Sequence, residues 1–461
     1  MKDKLVRASL IYGITNIVSQ GGVFLLLPLY SFILTKAEYG LVAKYEIYTF
    51  IIAVFFSLCL DRAAQRLFFD HSDQERKNVL STLYFSVLAF STCSMLFFFL
   101  VLSFYPERSS GALIYATLFC FFTVNGLIST QFFQFSEKPI AYAAIKLTTV
   151  LSNVALISYT LYFYSATAET KLASDAVVSG IAFFIHFLIA IRFFGINFQY
   201  KYLQQGLKFA LPFVPTLLIS WVIVLSSRIF LEFYGDIADV GVYSMAYKLS
   251  SVILVIGAAI NMAYTPYFYR NAALGDSEEK SLENTSNTIL YFLLALLIGF
   301  LTFNAEIIHY FLDTKYSSIG GLVFIISIAC YVSVFNSFTF VLYILQSKRS
   351  ILNLAASIVS ALVSVVLNYS LIPKYGVYGA AASLLIATFL LSIFQCYYSK
   401  QGFYLQLQWR RHFLGLLSAI SYGIFVHQIP LSIETIVLKL TIAIIALAFI
   451  SKRMFLIKKI I

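Results

Sequence analysis

Long apolar runs, each close to the roughly 20 residues that cross about 30 Å of hydrocarbon, recur from one end of this chain to the other. That pattern fixes the fold class before any motif is considered. A bilayer offers no hydrogen-bond partners, so a chain that crosses it repeatedly must satisfy its backbone internally, as helices do. With 60% apolar and 11% charged residues in 461, too little polar surface exists to cover a soluble core of this size. The chain therefore reads as an all-α polytopic membrane protein with fourteen transmembrane helices. Their expected limits are 9–34, 41–60, 79–104, 111–135, 140–164, 174–194, 207–234, 241–268, 287–311, 318–345, 351–372, 376–399, 412–429 and 431–451, the last pair being divided at Pro430.

The opening MKDKLVRASL is basic, and the apolar stretch from Ser9 to Leu34 has no small-residue cleavage site behind it. It reads as a retained first span rather than a removed signal. The net charge of +11 would suggest nucleic acid in a soluble protein; here it is explained by cytoplasmic loops rich in Lys and Arg. With the N-terminus inside, the inner segments carry clusters such as Arg62, Arg66, Arg76 and Lys77, then Arg192, Lys201 and Lys208, then Lys452, Arg453, Lys458 and Lys459. The outer loops carry single cations: Lys36, Arg108, Lys171, Lys315 and Lys374. This asymmetry puts both termini in the cytoplasm and leaves no role for nucleic acid.

Catalytic signatures are missing. There is no GxxxxGK[ST] phosphate loop, no HExxH, no nucleophile elbow and no clustered carboxylate pair, so the chain does not read as an enzyme and needs no cofactor. Cys59, Cys93, Cys120, Cys330 and Cys396 lie far apart in apolar runs, without the spacing of a disulfide framework or a zinc site. What remains is transport, driven by an ion gradient or by consumption of the product.

Two segments resemble each other. Residues 35–50 read TKAEYGLVAKYEIYTF and residues 236–251 read DIADVGVYSMAYKLSS, aligning Gly40 with Gly241 and Glu38 with Asp239. Each sits between the first and second span of a six-span set, so the two sets share one orientation. The expected organisation is a six-helix lobe over 1–200, a second over 201–400, the two pseudo-symmetric around a central cavity, and two extra helices with a basic tail over 401–461.

Three stretches carry a family resemblance: EYGL at Glu38 to Leu41, after the span that contains Pro28; GVYSMAYKL at Gly241 to Leu249 with AYTPYF at Ala263 to Phe268; and NYSLIPKYGVYGAAAS at Asn368 to Ser383. Together they resemble the polysaccharide-transporter branch of the multidrug/oligosaccharidyl-lipid/polysaccharide (MOP) flippase superfamily. The resemblance implies a bacterial inner-membrane flippase that moves an undecaprenyl-pyrophosphate-linked oligosaccharide, an O-antigen or capsule repeat unit of the lipopolysaccharide type, to the periplasmic leaflet by alternating access. Its partners would be that lipid-linked oligosaccharide, the membrane lipids, a polysaccharide polymerase and a chain-length regulator. The Ile-Pro and Gly-rich motif itself reads as architectural, since small residues let helices approach closely in lipid.

Charges inside spans mark candidate sites, because each costs a few kcal/mol to insert. Lys44 and Lys248 occupy near-equivalent places in the two repeats and suit a pyrophosphate, as does the planar guanidinium of Arg228. Lys44 also lies near enough to the outer interface to snorkel, and Arg228 near enough to Glu232 to pair with it. Lys146 is placed to meet a headgroup on entry or to snorkel inward. Glu46 and Glu232 are the candidates for ion coupling; Glu46 would otherwise pair with a neighbouring helix. His186, Glu306 and His309 read as structural or interfacial, and Lys439 and Glu434 as anchors at a helix end. Tyr243, Tyr247 and Tyr264 suit stacking on sugar rings. Asn16, Gln20, Asn125, Gln131 and Asn261 suit either hydroxyl binding or bonds between helices.

Two alternatives stay open. One is a cation-coupled multidrug exporter, which a net positive cavity disfavours; a peptidoglycan-precursor flippase is a close variant of the main reading. From another class, a sugar polymerase or ligase would need a large periplasmic loop.

Overall fold

Caps mark where the chain enters its helices. Thr35 accepts the Glu38 amide at 3.1 Å, Ser110 that of Leu113 at 3.2 Å, Thr167 that of Thr170 at 3.2 Å and Asp236 that of Asp239 at 2.8 Å. Each bond satisfies one of the amides a helix start leaves unpaired. Thr35 and Asp236 open the two similar segments, with acidic residues at the same third position, so the sequence likeness has a local structural counterpart.

The computed structural model describes residues 2–104, 110–272, 276–347, 350–402, 404–427 and 439. The helices are α1 (Lys2–Ile33), α2 (Lys36–Ser57), α3 (Leu60–Asp70), α4 (Asp73–Ser103), α5 (Gly111–Phe135), α6 (Pro139–Phe163), α7 (Ala168–Phe194), α8 (Tyr200–Ala210), α9 (Phe213–Tyr234), α10 (Ile237–Ser250), α11 (Val252–Ala272), α12 (Asp276–Thr302), α13 (Asn304–Phe311), α14 (Gly320–Phe338), α15 (Phe340–Gln346), α16 (Ser350–Ser399) and α17 (Trp409–His427). There is no strand among the described residues. The chain divides into two compact units, 1–221 and 222–461, with the boundary inside α9.

In the first unit α5 packs against α7, α4 and α2. Helices α3 and α8 are short and two-faced. Leu60, Ala63, Ala64 and Leu67 point into the core, while Arg62, Gln65 and Arg66 face out; α8 buries Tyr202, Gly206 and Ala210 and exposes Lys201 and Lys208. That spacing is the mark of helices lying at an interface rather than crossing it. In the second unit α14 is buried nearly all round, which makes it the core helix. Large apolar side chains such as Leu25, Phe97, Phe184 and Val366 are exposed, as a lipid-facing surface requires.

Eleven stretches among the described residues are long and apolar enough to cross a membrane, against the fourteen expected. One of them, Ile351–Ser399, is a hairpin. Gln395 Nε2 donates to Asn353 Oδ1 at 2.8 Å, although a straight helix would set them about 63 Å apart. The reversal sits at Gly376, whose φ of +53° suits glycine, shortly after Pro373. The expected spans 351–372 and 376–399 are thus the two arms of α16. Expected span 412–429 corresponds to α17, and 431–451 lies outside the described residues apart from Lys439.

Several boundaries move. The expected 207–234 span is divided at Pro212 into α8 and α9, the expected 287–311 into α12 and α13, and α10 gives way to α11 at Ser251. Helix α7 begins at Ala168, six residues before the expected 174, because Thr167 caps it. Lys171 is therefore a buried helical residue and not an outer-loop cation.

Candidate functional site

Lys171 is the centre of a buried ionic cluster in the first unit. Its ammonium lies 2.9 Å from Asp175 Oδ2, one turn further along α7, and 3.4 Å from Glu46 Oε1 on α2. Asp175 also accepts Asn153 Nδ2 from α6 at 3.0 Å. Lys171 is 6% exposed and Asp175 5%, while Glu46 keeps half its side chain open. Near the start of α7, Glu38 of α2 accepts the Ala168 amide at 2.6 Å. Two carboxylates and an amide thus gather around one lysine, tying α2, α6 and α7 together.

Of the candidates in this unit, Glu46 joins this cluster. Lys44, two residues earlier and half-buried, has its ammonium 6.0 Å from the centre of the Tyr48 ring. Lys146 lies 5.8 Å from the Tyr142 ring, and that tyrosine donates to Asn16 at 2.8 Å, joining α6 to α1. His186 is buried against Ser129, 2.8 Å from its hydroxyl, as a structural histidine should be. Asn125 bonds Ser91 at 2.9 Å and so serves helix packing.

The second unit holds Arg228. It is 7% exposed on α9, donates Nε–H to the Ser244 hydroxyl at 2.8 Å, and spreads its guanidinium over Tyr247 at 4.9 Å and Tyr243 at 5.8 Å. These contacts offset part of the insertion cost, each tyrosine face contributing about 0.5–2 kcal/mol. Nη1 has no hydrogen-bond partner among the described residues. A buried donor left unmade costs about 1–3 kcal/mol, so an anionic oxygen is the natural complement. Beside it, at the two residues just before Arg228, Asn368 of α16 accepts from Ser227 at 3.1 Å and donates to Ser226 at 3.0 Å, which fixes α9 against the Ile-Pro motif. The tyrosines expected to stack on sugars are, in Tyr243 and Tyr247, the seat of this arginine. Glu232 and Lys248 are half-buried, Lys248 in the last turn of α10 and near the middle of the Ile237–Met262 span.

Lys439 corrects its expected role. It is 2% exposed and lies 2.6 Å from Glu306 Oε1 of α13, a buried ion pair and not an anchor at a helix end. Glu434 lies outside the described residues.

An expected span of 174–194 leaves Lys171 in a loop and so hides its pairing with Asp175. The signal was present: an i, i+4 Lys–Asp pair four residues after the capping threonine.

These features define an all-helical membrane protein with many spans. The fold aligns with the lipid II flippase MurJ in its inward closed conformation, with a TM-score of 0.72 at 15% identity over 98% of this chain and 99% of that one. It aligns with an inward-facing multidrug resistance MATE transporter of the MOP superfamily at 0.62 and 12% identity, over 84% and 97%. At such identities the likeness is one of fold. The model of the polysaccharide biosynthesis protein family matches residues 5–272, more than half the chain, and the chain belongs to that family. A membrane protein of Haemophilus influenzae described as uncharacterized is 24% identical over 299 residues, 64% of this chain and 71% of its own length. The Lsg locus putative protein 1 of the same organism is 24% identical over 272 residues, 58% and 66%.

Proposed function

We propose that this protein flips an undecaprenyl-pyrophosphate-linked oligosaccharide, an O-antigen or capsule repeat unit, from the cytoplasmic to the periplasmic leaflet of a bacterial inner membrane. The supporting observation is Arg228: a guanidinium held in the membrane-spanning part by Ser244 and two tyrosines, with Nη1 unpartnered among the described residues. A pyrophosphate oxygen is the charge-assisted acceptor such a donor lacks. Lys248 and Lys44 supply further positive charge, Lys146 meets the headgroup on entry, and the lipid tail stays in the bilayer. Glu46 and Glu232 are the groups for ion coupling. Alternating access follows the two-lobe organisation, 1–200 and 201–400, with 401–461 as additional helices, both termini inside, and a polymerase and chain-length regulator acting on the product.

The test is complementation of a strain lacking its repeat-unit flippase, with the matching sugar pathway supplied. Wild type should restore surface polysaccharide, and Arg228→Gln should lose at least tenfold at equal membrane levels while Arg228→Lys retains part. Restoration by Arg228→Gln at the wild-type level would remove Arg228 from the site. Failure of the wild type, with rescue of a strain depleted of its peptidoglycan-precursor flippase, would shift the substrate to that lipid. Resistance to cationic drugs instead would favour an exporter.

A further inference from the structure

A second cationic site lies at the basic end of the first unit, apart from both clusters above. A cavity of about 560 Å³ opens where the start of α4 meets the ends of α5 and α7. Arg76 and Lys77 enter it from α4 and Arg192 from the last turn of α7; Glu137, just past α5, is the only carboxylate on its wall among the described residues. Arg76 is fixed in place, donating Nε–H to the Phe68 carbonyl at 2.7 Å with its guanidinium 4.8 Å from that ring. Lys77 and Arg192 are exposed and reach the opening. The rest of the wall is mostly phenylalanine, including the exposed Phe69, packed on Phe135 at 5.9 Å.

We propose that this cavity binds the phosphate-bearing headgroup of a lipid in the cytoplasmic leaflet. Three cations against one carboxylate select an anion. A phenylalanine wall favours a ligand with an apolar part over free phosphate. The loop charges assign this end of the unit to the cytoplasm, where anionic headgroups lie and where basic pockets between spans take them. The ligand chemistry is shared by acidic phospholipids and by a polyprenyl pyrophosphate, and the site stands whether or not the chain flips the latter.

Native mass spectrometry of the purified full chain, titrated with cardiolipin, phosphatidylcholine or undecaprenyl pyrophosphate, tests the assignment. Lys77→Gln/Arg192→Gln removes two exposed charges without touching Arg76. At about 1 kcal/mol per basic residue, it should weaken cardiolipin binding roughly tenfold to thirtyfold. Glu137→Gln should tighten binding about fivefold by the same rule, a gain that a purely structural role would not produce. Cardiolipin preferred over undecaprenyl pyrophosphate makes the occupant a resident phospholipid, and the reverse order makes it the transported lipid. Equal binding of cardiolipin by wild type and the double variant, or equal binding of cardiolipin and phosphatidylcholine by the wild type, would overturn the site.

Discussion

Removing the Lys171 ammonium should destabilise the first unit more than any surface change. At 2.9 Å from Asp175, with an effective dielectric near 20, the attraction is about 6 kcal/mol. Desolvating the two ions costs several kcal/mol each, so the intact pair is close to neutral overall. Truncating one partner is not neutral, because the Asp175 carboxyl, at 5% exposure, then loses its ion-pair partner and keeps the Asn153 amide as a donor. Lys171→Met should therefore cost about 3–5 kcal/mol. Asp175→Asn should cost less, about 1–3 kcal/mol, since Glu46 still faces the lysine, half-exposed and screened. The double variant Lys171→Met/Asp175→Asn removes both buried charges and should recover at least about 2 kcal/mol of the single lysine loss. The assay is unfolding in mixed micelles of rising SDS fraction, read as a double-mutant cycle. A Lys171→Met loss below about 1 kcal/mol, or losses that simply add, would refute the coupled-cluster account.

Two other substitutions probe the turn in α16 and the junction after α2. A Cβ at Gly379 would sit 2.5 Å from the Leu371 carbonyl oxygen, a backbone atom that cannot rotate away, so Gly379→Ala should cost about 1–3 kcal/mol and lower membrane yield. Burial pushes the Asp61 carboxyl above its usual range, with Arg62 opposing. The unfolded chain then loses that proton first, so stability falls as pH rises from the unfolded value, near 3.9, through the folded one. Asp61→Asn should match wild type in acid and exceed it above that window, measured as the difference between their unfolding midpoints from pH 3 to pH 8.

Much of this was legible because it is local. Hydrophobic length marked where most spans lie, though eleven rather than fourteen stretches among the described residues are long and apolar enough to cross, and the apolar runs pointed to an all-helical membrane chain. The likeness of Thr35–Glu38 to Asp236–Asp239 became two matching helix starts, since a cap involves neighbours three residues apart. The Ile-Pro and Gly stretch around Gly376 behaved as the turn its residue types suggested. The helical interruptions at Pro212 and Ser251 were harder, because apolar runs continue through them.

The partners of the buried charges belong to the tertiary structure. Glu46 and Lys171 meet although 125 residues apart, and Lys439 meets Glu306 across 133. Sequence shows that a lysine stands in or near a span; it does not show the rotation of that helix about its axis or the neighbour it faces. In lipid that choice decides whether a charge is an interfacial cation, half of an ion pair, or, like Arg228, a guanidinium seated on a serine and two tyrosines, because the cost of an unpaired charge depends on what lies within a few ångströms of it.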